Sequence, residues 1–218
     1  MSMSTFCKLA FAGILATAAF GQEFRATITG TVADTSGAPV PKVQIRRAGA
    51  GGPGRIPAAR MPLTVPVSGP WTVRFTPGWG APAQVTFDKL ISWSDHADPG
   101  IRYYSGTARY AGKVNLPPGR EWTLDLGEVR EIAEVWLNGK PLGVLWKKPF
   151  AVALGAAAHA GENELEIEVV NLWPNRLIGD QQLPPERRLT KTNITKFTAQ
   201  SPLMPSGLLG PVVVRYFK

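Results

Sequence analysis

The chain has 218 residues and a formal net charge of +8, with 44% hydrophobic and 18% charged residues, a composition that supports a packed core and excludes global disorder. Abundant Gly (23), Pro (20) and Trp (7) point to a turn-rich β protein rather than a helical one. The charge does not indicate a nucleic-acid binder, because its excess is unevenly spread: residues 22–60 carry +4, whereas the segment from Met61 onward holds 17 basic and 14 acidic residues.

In chain order, Lys8 and the apolar run Leu9 to Phe20, followed by Gly21, read as a signal peptide over residues 1–21 with cleavage before Gln22. The run is too short to span a membrane. The mature chain is therefore expected to be secreted or periplasmic, with no membrane span. The single cysteine, Cys7, lies inside this segment, so the mature chain has no disulfide, thiolate nucleophile or Cys-ligated metal.

Residues 22–45 read as a β-hairpin: Thr27, Ile28, Thr31 and Val32 favour strand, Asp34-Thr35-Ser36-Gly37 is turn chemistry, and Val43 and Ile45 alternate with polar neighbours. The words ITGTVADTSGAPVPKVQI resemble the start of a carboxypeptidase-regulatory-like module, of which they cover only a part. Residues 46–66, rich in Gly, Ala, Pro and Arg and without periodicity, read as a linker.

Residues 67–218 read as the main domain. Trp71, Val73 and Phe75 alternate with polar residues, as do Trp122, Leu124 and Leu126. Leu165, Ile167 and Val169 alternate with Glu164, Glu166 and Glu168, the clearest period-two strand of the chain, apolar inward and charged outward. Asn138-Gly139 between two apolar runs predicts a hairpin, and Gly161-Glu162-Asn163 a turn. Val212 to Val214 predicts a closing strand, and Ala151 to Ala160 a short helical turn at most. Many short strands bounded by Gly and Pro predict an all-β jelly-roll sandwich.

The stretches GEVREIAEVWLNGKPLGVLWKKPF and GENELEIEVVNLWPNRLIGDQQLP resemble the sugar-binding, galactose-binding-like jelly roll of glycoside hydrolase family 2 and its relatives. With GPWTVRFTPGWGAP, LISWSDHADPGIRYYSGTARY and SPLMPSGLLGPV, the segment from about Gly69 onward is similar to the C-terminal β-sandwich of bacterial α-L-rhamnosidases of glycoside hydrolase family 106. The resemblance implies a non-catalytic accessory domain. Members of that family place their chemistry in a large upstream barrel, which this sequence does not contain.

The residues agree with a non-catalytic reading. Glycoside hydrolysis needs two carboxylates facing each other across the scissile bond. Glu164, Glu166 and Glu168 share one solvated face, and Asp95 with Asp98 in SWSDHADPG is better suited to shaping a loop. His96 and His159 stand in no zinc or triad spacing. No cofactor is implied, although calcium held by loop carboxylates and carbonyls is compatible with the sequence. Sugar recognition needs an aromatic plate beside rigid polar groups. The candidate set is Trp173 with Asn175, Arg176 and Asp180, then Trp146 beside Lys147, and Trp93 beside Asp95. The opposing reading pairs Arg176 with Asp180 to brace the loop, and places Trp71, Trp122 and Trp136 in packing roles. The expected partners are a rhamnose-containing carbohydrate or a glycoside hydrolase catalytic domain. Three functions stay open: weak glycan binding, docking on a catalytic barrel, and residual hydrolase activity.

Overall fold

The computed structural model describes residues 61–218. The expected signal peptide, the hairpin and most of the linker lie outside the described residues. The linker reading overshoots at its end, since Leu63–Pro66 is the first strand, β1, which pairs antiparallel with the last strand. Its Leu-Thr-Val sequence has no strong alternation, which hid it; the pairing energy comes from the other end of the chain.

Then follow β2 (Trp71–Phe75), β3 (Gln84–Phe87), helix α1 (Pro99–Arg102), β4 (Thr107–Leu116), β5 (Arg120–Asp125), β6 (Glu128–Arg130), β7 (Ile132–Leu137) and β8 (Lys140–Leu145). After these come β9 (Ala151–Ala153), β10 (Gly161–Val170), α2 (Pro174–Asp180), β11 (Gly207–Gly210) and β12 (Val213–Phe217). One sheet has six strands in the order β3-β2-β4-β10-β7-β8, a second has four in the order β1-β12-β5-β9, and β11 pairs with β6. All these ladder pairings are antiparallel. The described residues form the all-β sandwich expected from the turn-rich pattern, in which only β2–β3 and β7–β8 are sheet neighbours consecutive in sequence.

Strand β10 is central because its pattern is cleanest. Leu165, Ile167 and Val169 are fully buried between β4 and β7. On its outer face Glu166 and Glu168 bind Arg109 at 3.3 and 2.8 Å, and the Arg109 guanidinium lies 4.8 Å from the Trp136 ring centroid. The hydrogen bonds that Arg109 donates to Glu168 raise the pKa of this guanidinium above its ordinary value. Such partly exposed pairs add about 0–1 kcal/mol each, so the buried face governs the strand. At the β7–β8 turn, Asn138 (φ 51°) and Gly139 (φ 72°) adopt the two positive φ values that the Asn-Gly pair predicts. Gly161-Glu162-Asn163, read as a turn, already belongs to β10: Asn163 donates to His159 O and Gly161 O, so the turn sits just before it.

The core is aromatic toward one end. Trp71, Phe75, Phe87, Trp93, Tyr104 and Tyr110 interlock, with Trp93 and Tyr110 stacked at 6.5 Å and Phe75 meeting Tyr104 edge-on at 4.8 Å. The Trp93 Nε1–H donates to Tyr110 Oη at 2.6 Å, which satisfies the one polar atom of a buried indole. Among the described residues no helix is long and apolar enough to cross a membrane.

Candidate functional site

Strands β2 and β10 end, and β4 and β7 begin, on the same side of the six-stranded sheet: Phe75 pairs with Ala108, and Val170 with Thr107 and Ile132. The connection 76–83 therefore lies at this end, 88–106 reaches it from the far end of β3, and 171–206 departs from it. The last is the longest, and its course is set by buried polar side chains. Asn171 donates to Tyr104 O at 2.9 Å and accepts from Gly106 N at 2.9 Å. Ser105 Oγ donates to Leu172 O at 2.8 Å and accepts from Arg176 N at 3.3 Å. These bonds fix the chain as it leaves β10, and Pro174 starts α2 at once, where the ring-locked φ suits a first helical turn.

The candidate ligand residues of this segment separate. Asn175 is 2% exposed and turns inward: Nδ2 donates to Met204 O at 2.7 Å and Oδ1 accepts from Met204 N at 2.8 Å. Arg176 and Asp180 are equally buried and pair with each other at 3.1 Å. Asp180 also accepts from Leu189 N at 3.2 Å, and from Thr190 N and Oγ1 at 2.8 and 2.5 Å. So Asn175 clasps the end of the connection and Asp180 clasps its middle. The motif NLWPNRLIGD is a brace, and its polar groups serve the chain's own backbone. One turn of helix between Arg176 and Asp180 puts both on the same buried side, a direction that spacing alone did not settle.

Trp173 remains outside. It is 55% exposed and meets Trp79 edge-on, with ring centroids 5.5 Å apart. Trp79 was missed in the sequence; its signal is the flanking Gly78 and Gly80, both at positive φ, which set a tight turn presenting one large ring. Leu172 (48% exposed), Met204 and Leu189 are also exposed in this connection. The result is an apolar surface held by a polar, buried frame.

The other candidates lie apart from it. Trp93 is fully buried in the aromatic core, which removes it as a sugar platform: a ring stacked on Tyr110 and crossed by Phe75 and Tyr104 has no free face. Asp95 is exposed on the short 3-10 turn Trp93–Asp95, and Asp98 caps α1 by accepting from Gly100 N at 2.7 Å, the loop-shaping role expected for this stretch. Trp146 is 68% exposed after β8, with the Lys147 ammonium 5.3 Å from its ring. Among the described residues no group of three or more His, Cys, Asp or Glu side chains could hold a metal ion. Several acidic groups at the surface are paired, as in Lys113–Glu162 at 2.7 Å, Arg215–Asp125 at 2.5 Å and Arg130–Glu128.

No protein-family model matches the chain. It is 39% identical to a protein of Formosa agariphila named "Putative beta-glucuronidase", over 71% of this chain and 16% of that one. It is similar to the solved rhamnosidase from Novosphingobium sp. PP1Y, with 37% identity and a TM-score of 0.66 over 76% of this chain and 16% of that one. The β-D-glucuronidase of Dictyoglomus thermophilum, 20% identical with a TM-score of 0.52, covers 74% of this chain and 29% of its own, and shares the fold alone. The chain thus spans 16% of the first two proteins' own lengths. Sequence likeness and sandwich together make residues 61–218 a glycoside hydrolase-related β-sandwich domain.

Proposed function

We propose that the domain is a non-catalytic accessory domain of a rhamnosidase-type glycoside hydrolase, secreted or periplasmic after signal cleavage, that docks on a catalytic barrel through its Leu172–Trp173 end. The observation that carries this is the split within one motif. Asn175, Arg176 and Asp180 are buried and bonded to their own chain, whereas Leu172 and Trp173 are left exposed. A sugar site would be expected to leave directional polar groups free beside the aromatic plate; a domain interface needs apolar area over a rigid base. The match to a small part of much longer proteins supports the same reading. The rhamnosidase assignment leans on the solved structure alone, since the curated relative carries a glucuronidase name.

The test mixes the full chain with a separately expressed barrel of a rhamnosidase-type hydrolase and measures association by calorimetry. Binding that Trp173→Ala and Leu172→Asp weaken is expected; absence of association with the barrel would sink the docking reading. A second reading, weak glycan contact, is favoured by Trp146, which stands far out of the surface beside a lysine. Affinity electrophoresis on rhamnose-containing pectic polysaccharide checks it, with retardation lost in Trp146→Ala as the supporting result. The purified chain should show no turnover of an aryl α-L-rhamnoside.

A further inference from the structure

The connection after α2 does more than bridge two strands. Residues 188–199 arch over the end of α2 and line an open-sided cavity of ≈ 390 Å³, within the ~300–1,000 Å³ range of small-molecule sites. Three kinds of wall meet there. Ile194 and Phe197 supply an apolar side over Leu177. Thr192, Thr195 and Thr198 bring hydroxyls, and Gln181 brings a side-chain amide that carries no hydrogen bond among the described residues. Arg188 uses Nε on Leu183 O at 3.2 Å, which leaves the two terminal nitrogens of its guanidinium available.

The charge is one-sided. Residues 187–196 read RRLTKTNITK, and none of Arg187, Arg188, Lys191 or Lys196 forms an ion pair with a carboxylate among the described residues. Asp180, the one acid in the cavity wall, is closed off by Arg176, Leu189 and Thr190. The cavity therefore offers an anion a guanidinium fork with no internal competitor. A simple dicarboxylate would use the fork and leave the threonine hydroxyls and the apolar wall unmatched. A neutral sugar would use those and leave the fork. A sugar acid matches all three: ring hydroxyls to Thr and Gln, the C–H face to Ile194 and Phe197, and the carboxylate to Arg188.

We propose that this cavity is a binding site for a uronic-acid residue of an acidic saccharide, separate from the Leu172–Trp173 docking end. The proposal stands independently of docking, since it uses residues of the arch and can be tested on the full chain alone. Titration of the full chain with trigalacturonic acid, followed by calorimetry and by amide shifts, should show saturable binding with shifts centred on Gln181 and Thr195. The fully methyl-esterified trisaccharide, which keeps the hydroxyls and loses the charge, should bind about ten- to a hundredfold more weakly, as should Arg188→Gln, because a charge-assisted hydrogen bond is worth ~1.5–3 kcal/mol. Thr195→Val should weaken binding without affecting the fold, since its side chain is exposed. Trp173→Ala should bind normally. The proposal is overturned if the acid does not bind, if the ester binds equally well, if inorganic phosphate competes at equal concentration (a general anion site), or if Trp173→Ala abolishes binding while Arg188→Gln does not.

Discussion

Replacing Asp180 by Ala distinguishes a brace from a ligand site. Both the Arg176 and Asp180 side chains are almost wholly out of water, 5% and 3% exposed, so solvent screening offers little relief. Removing the carboxylate strands a buried guanidinium and releases the backbone of Leu189 and Thr190. Breaking a buried ion pair from one side costs about 3–5 kcal/mol. In a domain of this size each kcal/mol lowers Tm by about 2–4 °C, so the expected fall is about 6–20 °C. Urea unfolding followed by tryptophan fluorescence, with a thermal melt by circular dichroism, measures both quantities. Proteolytic cleavage within residues 188–199 should speed up in the same variant, because its clasp is gone. The double variant Arg176→Met with Asp180→Leu should regain about half or more of the loss, since an apolar pair leaves no unpaired charge behind. A loss under about 1 kcal/mol in Asp180→Ala would refute the reasoning: the carboxylate would then be free for a ligand.

Gly207→Ala should destabilise strongly, since Gly207 has φ +93° and an added Cβ would lie 2.5 Å from Trp93 Nε1, inside the fully buried core; unchanged urea stability would contradict the packing described for that ring. Burial raises the phenol pKa of both Tyr104 and Tyr110, against smaller opposing hydrogen bonds from Thr76 and Leu208. The folded chain then holds protons that the unfolded chain releases near pH 10, so stability should be flat below pH 10 and fall above it, by about 1.4 kcal/mol per pH unit for Tyr110, with Tyr104 acting in the same direction; a flat urea midpoint to pH 11.5 would count against it. Trp173→Ala should leave stability within about 1 kcal/mol of the parent in the isolated chain, because the ring is half in solvent; a core-sized loss would show that Trp173 packs rather than presents.

The sheets were legible because local and global preferences agree. The Leu165–Ile167–Val169 stripe, the Asn138-Gly139 turn and the alternation at Trp71–Val73–Phe75 each specify their own strand, and each strand lies where that pattern puts it. Strand β1 was hidden because its four residues carry no burial pattern of their own and are held by β12, about 150 positions away. The exit of the Trp-Asn-Arg motif from a strand was legible; the inward direction of Asn175, Arg176 and Asp180 was not. The sequence brings Trp, Asn, Arg and Asp together within eight positions, but a helix presents neighbours to different sides. Whether Asn175 faces Met204 or solvent depends on where the backbone 29 residues later is laid down.

That inward turn accounts for how an irregular connection of 36 residues, from Asn171 to Ser206, keeps a defined course. Buried backbone polar groups need partners, and a loop without a ladder must find them in side chains. Here Asn171, Asn175 and Asp180 supply them at the start, end and middle of the connection. Each clasp consumes a polar group and so withholds it from any ligand, and each fixes a surface that the clasp itself does not touch. The Asn171 and Asn175 clasps hold Leu172 and Trp173 outward on a rigid base. The Asp180 clasp holds the chain at Leu189 and Thr190, where the arch over the cavity begins. Both proposed surfaces therefore adjoin the polar motif without using it, and substitutions within the motif should act on both by loosening their frame.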